Sequence, residues 1–225
     1  MDSKNTYEQL VADFQQEIPS FRGFRDAIKL LGKKNVFLAG GAVRDAFLRP
    51  TLKVKDLDIF LTSEAFDYIY VYLKQHGDLL LNQFGTHRWY SYNDQGFYYD
   101  IIIIPKFYNG LWTCRNITDV LNQFDVTVNA LAFDLYDGSF YDPQNGLLDI
   151  QQKILKAVRF DYPEIPVSDQ IILSRNTVLW FRYRYYAQKL DLKLDNLTAL
   201  WVENNSFRES SFAEFNTHFF NPSII

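Results

Sequence analysis

The 225-residue chain is nearly half apolar and 17% aromatic, with 20 Phe and 15 Tyr, a composition that excludes disorder over most of its length and suits one large domain or two small ones. Its net charge of −4 argues against non-specific coating of nucleic acid, and one cysteine with three scattered histidines provides neither an internal disulfide nor a zinc cluster. No apolar run approaches a membrane span and the polar start MDSKNTYEQ does not resemble a secretory signal, so a soluble, cytoplasmic protein without a membrane partner is expected.

In chain order, Leu10, Val11, Phe14 and Ile18 recur at one-face spacing and predict a helix over Tyr7–Ile18. Ser20 stands where it can cap a second helix, whose Phe24, Ala27, Ile28 and Leu31 line up before Gly32. A short buried strand is expected over Asn35–Ala39, a helix over Ala42–Leu48 stopped near Pro50, and a strand over Leu57–Leu61. Thr62 or Ser63 caps a helix through Lys74, closed by Gly77. Asp78–Asn82, His87–Tyr92 and Phe97–Ile104 have β character, the last two joined by the turn NDQG. Asp119–Phe124 reads as helical, and Ala132–Leu135 and Ser139–Tyr141 flank the hairpin signal YDG. From Ile171 onward the pattern becomes helical, and SFRESSFAEFNTHFFNPSII, Ser206–Ile225, is a weakly patterned tail.

The fold class is therefore α/β (α+β), a mixed sheet flanked by helices with a short helical C-terminal region. The proline-bearing stretch DYPEIPVSD, Asp161–Asp169, marks the expected boundary between a domain over 1–160 and a region over 161–225. Between Gln151 and Leu190 lie seven Lys or Arg against three acids, a local +4 that leaves about −8 elsewhere. A basic face on an acidic body and ordinary solvated helix faces both account for that asymmetry.

The chemistry concentrates upstream. Asp56 and Asp58, two apart on a strand, point to one face, where paired carboxylates repel unless a cation lies between them. Alone, such a pair is a weak signal. Gly40 and Gly41 strengthen it, because they sit at a strand exit and helix start, where free N–H groups and the helix dipole receive phosphate. Arg44 in the first turn reaches the same anion. Asp100, inside FYYDIIIIP, is costly to bury unless paired or metal-bound; exposure at a sheet edge is the other reading. Three acids on adjacent strands beside a phosphate cradle meet the needs of two-metal phosphoryl transfer.

LAGGAVRDAFL, KDLDIFLTS and the block Phe124–Val158 resemble, in order and spacing, the head domain of class II tRNA nucleotidyltransferases (CCA-adding enzymes) and bacterial poly(A) polymerases, within the DNA-polymerase-beta-like superfamily. The resemblance covers about residues 35 to 160. It implies a nucleotidyltransferase that moves a nucleoside monophosphate from an NTP, ATP or CTP by family habit, to a hydroxyl such as an RNA 3′ end. It implies Mg²⁺ held by the catalytic acids Asp56, Asp58 and Asp100, with nucleotide contacts from Gly40, Gly41, Arg44, Asp125 and Asn129, and a neck-like role for 161–225.

The chain also departs from that family. Its Arg-Arg-Asp motif is Gln123-Phe124-Asp125 here, and Ser174-Arg175 with Val178 fall where a base-selecting Glu-Asp-x-x-Arg belongs. Arg182 or Arg184 is available to replace the missing arginines. Arg175, Arg182 and Lys189, seven apart, form a candidate nucleic-acid stripe with Trp180, Tyr183 and Tyr186 for stacking; the same rings also suit a core. A non-RNA acceptor such as a protein hydroxyl, a non-catalytic nucleotide- or RNA-binding relative, and a homo-oligomer all stay open.

Overall fold

The computed structural model describes residues 2–32, 35–48, 54–82 and 84–220. Helices α1 (Ser3–Glu17) and α2 (Phe21–Leu30) open the chain, with Asp2 capping α1 by accepting from the Lys4 N–H at 3.0 Å. Their apolar stripes, Tyr7, Leu10, Val11 and Phe14 on α1 and Phe21, Phe24 and Ile28 on α2, are buried as their spacing requires. Ser20 does not cap α2. Its backbone is already helical, and its hydroxyl joins Asp94 and the Tyr99 hydroxyl, tying the α1–α2 joint to the sheet.

β1 (Val36–Ala39), α3 (Gly41–Leu48), β2 (Asp56–Leu61), α4 (Ser63–His76), β3 (Gly77–Leu81), β4 (His87–Ser91) and β5 (Tyr98–Ile103) follow. Thr62 caps α4, its hydroxyl accepting from Ala65 N–H at 3.2 Å. Gly77 closes α4 as its C-cap in extended backbone and at the same point opens β3. The expected stop of α3 at Pro50 lies outside the described residues. A short α5 (Ile117–Leu121) is capped by Asn116, so it begins two residues before the expected start and also ends early. β6 (Ala132–Asp134) and β7 (Phe140–Tyr141) form the hairpin that YDG predicts.

These strands make one seven-stranded mixed sheet in the order β3-β4-β5-β2-β1-β6-β7. Alternation divides its residues between two faces. Leu38, Leu57, Ile59, Leu61, Tyr99, Ile101 and Phe133 meet α1 to α4 in the main core. Phe37, Ala39, Phe60, Ile102 and Ala132 meet Ile117, Val120 and Leu121 of α5 in a second cluster. The isoleucine run of β5 is thus buried on both faces, as a central strand demands.

α6 (Gly146–Gln152) follows β7, its first N–H groups donated to Asp142 at 2.6 and 3.0 Å. A Cβ on Gly146 would stand 2.1 Å from the Thr127 carbonyl, so only glycine lets α6 press on the turn that carries Asn129. Then come β8 (Ile154–Leu155), β9 (Pro166–Ser168), β10 (Ile171–Ser174), α7 (Arg175–Leu190), β11 (Lys193–Leu194), α8 (Asn196–Asn204) and α9 (Phe212–His218). The helix expected from Ile171 starts four residues later. Ile171–Ser174 alternates buried and exposed, pairs with β9, and ends in Ser174, whose hydroxyl caps α7. The described part of the weakly patterned tail, 206–220, is largely helical, a 3-10 stretch over Ser206–Ser211 leading into α9.

α7 faces two ways. Leu179, Tyr183 and Leu190 enter the main core, while Val178, Trp180 and Phe181 join Ile171, Leu173 and Phe215 in a third cluster. β11 pairs in parallel with β8, a second tie between the C-terminal region and the body of the fold. Among the described residues no helix is long and apolar enough to cross a membrane.

Candidate active site

The site lies on the α5 side of the sheet, where β2 and β5 run parallel. Their register sets Asp58 directly opposite Asp100 and Asp56 opposite Tyr98. Asp56 shares its face with Asp58 by alternation, so all three sequence-predicted acids point the same way. Ala39 of β1 lies opposite Asp58 on the other flank and leaves room beside it.

The acids differ in their partners. Asp100 accepts two hydrogen bonds from Arg88 of β4, Nε to Oδ1 at 2.8 Å and Nη2 to Oδ2 at 3.0 Å. Asp56 accepts from the Tyr98 hydroxyl at 2.7 Å. Arg88 lies over the Tyr98 ring with Cζ 3.9 Å from its centroid, which closes a chain of contacts from Asp100 to Asp56. Asp58 has no hydrogen-bond donor among the described residues. Its pKa is pushed up to about 7 by burial first, then by the charges of Asp56 and Asp100. The Asp100 bond keeps the Arg88 guanidinium firmly charged.

Gly40 borders Asp58. Its φ is +75°, a left-handed conformation that favours glycine, and a Cβ there would come within 2.8 Å of Asp58 Oδ2. The chain turns at this point from β1 into α3, so backbone N–H groups at the helix start open beside the carboxylates. Arg44 folds back onto its own helix. It donates to Asp45 at 2.8 and 3.0 Å and to Asn129 Oδ1 at 2.6 Å, and its side chain is buried.

Asn129 in turn donates to Asp125 Oδ1 at 3.1 Å, and Arg182 of α7 holds Asp125 Oδ2 through Nε at 2.8 Å and Nη2 at 2.7 Å. Burial opposes the Arg182 charge, but Asp125 and Tyr186 outweigh it and keep the group cationic. Arg44, Asn129, Asp125 and Arg182 thus form one connected network beside Asp58. The Tyr186 ring lies between the two guanidiniums, 5.6 Å from Arg44 Cζ and 5.3 Å from Arg182 Cζ. Asp125 and Asn129 occupy the places that the resemblance implies, and Arg182 brings a guanidinium to the Asp125 carboxylate where the family's motif carries two arginines.

The remaining predicted residues lie elsewhere. Arg184 stacks on Trp180, with Cζ 4.5 Å from the ring, and reaches Glu209. Arg175 donates to Asn109 Oδ1, and burial together with Arg182 lowers its pKa to about 10. Lys189 sits over the Tyr185 ring at 5.3 Å. Trp180 and Tyr183 are core residues, and Arg175 and Arg182 turn inward rather than lining an exposed stripe with Lys189. Val178 is also core, and Ser174 serves as a cap. Arg88 and Tyr98 are the residues that sequence reasoning passed over. Strand alternation carried a signal for Tyr98, which shares a face with Asp100, whereas Arg88, second in the strand HRWYS, gains its place only by pairing across to Asp100.

The site's fit to a divalent metal can be judged from these donors. Asp56 and Asp58 provide adjacent oxygen ligands, and the raised pKa of Asp58 marks a place where a cation would relieve repulsion. No ready cage of three or more His, Cys, Asp or Glu stands among the described residues. Asp100 is engaged by Arg88, so the fit is good at Asp56 and Asp58 and altered at Asp100.

The fold matches the head fold of CCA-adding enzymes. The Thermotoga maritima CCA-adding enzyme complexed with tRNA aligns with a TM-score of 0.68 at 19% identity, covering 94% of this chain and 48% of that one. A CCA-adding enzyme bound to CTP aligns with a TM-score of 0.65 at 19% identity over 94% and 49% of the two chains. In sequence, the CCA-adding enzyme of Streptococcus pyogenes is 28% identical over 155 residues, 65% of this chain and 35% of the relative. The multifunctional CCA protein of Acinetobacter baumannii is 26% identical over 171 residues, 71% and 38% respectively. The chain thus spans little more than a third of the length of these curated relatives. Residues 4–153 match the model of the Gabija anti-defense 2 family, and the chain belongs to that family.

Proposed function

We propose that the protein is a Mg²⁺-dependent nucleotidyltransferase that moves a nucleoside monophosphate from an NTP to a hydroxyl. One observation carries the reading: Asp58 and Asp100 are paired in register, Asp56 shares their face, and Gly40 closes directly on Asp58. In this reading the backbone N–H groups from Gly41 onward receive the triphosphate, the Gly40 N–H being already donated to the Leu131 carbonyl at 3.2 Å. Asp56 and Asp58 hold the ion, which supplies charge stabilisation at the transferring phosphoryl group. Arg182 and Arg44 brace Asp125 and Asn129 toward the nucleotide, and ATP or CTP is the expected donor.

The solved relatives bound to CTP and tRNA favour an RNA 3′ end as the acceptor. A protein hydroxyl is the second reading. It is favoured by the inward turn of Arg175 and Arg182, which leaves α7 a weaker phosphate-binding surface than its sequence implies, and by a family name that refers to countering a defence system. Each α-labelled NTP, incubated with Mg²⁺ and either total RNA or cell-extract protein, should leave label on one acceptor class. Label in RNA that a 3′-exonuclease removes supports the first reading; label in protein that survives nuclease supports the second. Absence of label from both, under conditions where a CCA-adding enzyme labels its RNA, removes the transferase assignment.

A further inference from the structure

We infer that Arg88 stands in for the second metal ion of this site, so that the carboxylates hold one divalent cation and one guanidinium. The inference rests on the transferase reading above and sharpens it. Three features carry it.

First, the placement comes from the backbone. Arg88, Asp100 and Asp58 stand in one register row across β4, β5 and β2, so the guanidinium arrives at Asp100 by strand pairing rather than by a side-chain rotamer alone. Second, the contact is bidentate and braced. Both Asp100 oxygens accept from Arg88, the guanidinium lies over Tyr98, and Tyr98 donates to Asp56. Moving Arg88 aside for an ion would break two charge-assisted bonds and a cation–π contact together.

Third, the charges balance. Three carboxylates and one guanidinium leave two negative charges, which a single divalent ion neutralises at Asp56 and Asp58. A second divalent ion would need ligands that Asp100 has already given to Arg88. An arginine here is always protonated and presents planar donors, so it can meet an anionic oxygen from the substrate without leaving Asp100. Arg88 is thus a positioning and charge-supplying residue at the place where the superfamily's chemistry calls for metal.

Counting Mn²⁺ bound per full-length chain, without nucleotide, tests this by equilibrium dialysis with electron paramagnetic resonance of the free ion. The wild type should bind one ion at the site, and Asp58→Asn should lose it. Arg88→Gln frees Asp100 and should bind two, and Arg88→Lys, which keeps a cation there, should bind one. Adding Asp100→Asn to Arg88→Gln should restore a single ion. Melting curves on every variant confirm that each is folded. Two ions in the wild type, or one in both the wild type and folded Arg88→Gln, overturn the inference while leaving the metal-dependent transferase intact. No bound Mn²⁺ in any form overturns both.

Discussion

The Asp58→Asn protein is expected to lose nucleotide transfer by roughly a thousandfold or more, and to melt higher than the wild type at pH 8 in the presence of chelator. Both effects have one origin. Asp58 sits between two other carboxylates without a hydrogen-bond donor among the described residues, so its charge disfavours the folded state unless an ion is bound. The pH dependence follows from the direction of the shift. The folded-state pKa of about 7 lies above the ordinary unfolded value, so the group favours folding fully below about pH 4. That contribution is lost as pH rises through 7. The gap in melting temperature between Asp58→Asn and wild type should be negligible near pH 4 and grow to roughly 10 °C by pH 8. Thermal melts at the two pH values measure it. A variant that melts lower than wild type at pH 8, or one that retains transfer, would show that Asp58 is not the electrostatically frustrated metal ligand described above.

Arg182→Ala should produce the second large effect, this time as a loss of stability. Asp125 is buried, and both of its oxygens are held, one by Arg182 and the other by Asn129. Removing the guanidinium strands that carboxylate, which costs about 3 kcal/mol and lowers the melting temperature by roughly 10 °C. Lys189→Ala, on the same helix but over an exposed part of its surface, should change the melt by less than about 1 °C. Combining Arg182→Met with Asp125→Asn removes both charges and should recover at least half of the lost stability. The KM for NTP should stay elevated in that double variant, because the connection from Asn129 and Asp125 to α7 is gone. Recovery of both stability and KM would confine Arg182 to a structural role.

Much of this site could be read from neighbouring residues alone. Gly40 and Gly41 lie where a run of β-formers gives way to a helix, and that local switch predicts the turn that the structure places beside Asp58. Asp56 and Asp58 share a face because strand geometry alternates, and Asp100 interrupts isoleucines that a central strand must bury on both sides. What stayed hidden depended on partners distant in the chain. The seven-residue spacing of Arg175, Arg182 and Lys189 shows that they share one side of α7, but only packing decides that Asn109 and Asp125 meet the first two. Similarly, Ile171–Ser174 holds enough apolar residues to continue a helix pattern, and it becomes a strand because β9 offers it a ladder. Arg88 was hidden for the same reason, since an arginine mid-strand acquires meaning only from the residue across from it.

The parallel pairing of β2 with β5 has a kinetic consequence. Asp58 and Asp100 are separated by α4, β3 and β4, so they meet only after that long intervening loop of chain has closed. Such non-local closure is slow, and it occurs late relative to the local helices and hairpins. Before it, the chain presents one Asp-x-Asp pair in a flexible segment, a poor trap for a hard cation. On the proposed reading, magnesium would not template folding; it would stabilise a structure already made. Stopped-flow experiments over a range of Mg²⁺ concentrations should show a refolding rate that hardly changes and an unfolding rate that falls as the ion binds. A refolding rate that climbs with magnesium would instead mean that the acids gather around the ion before the strands pair.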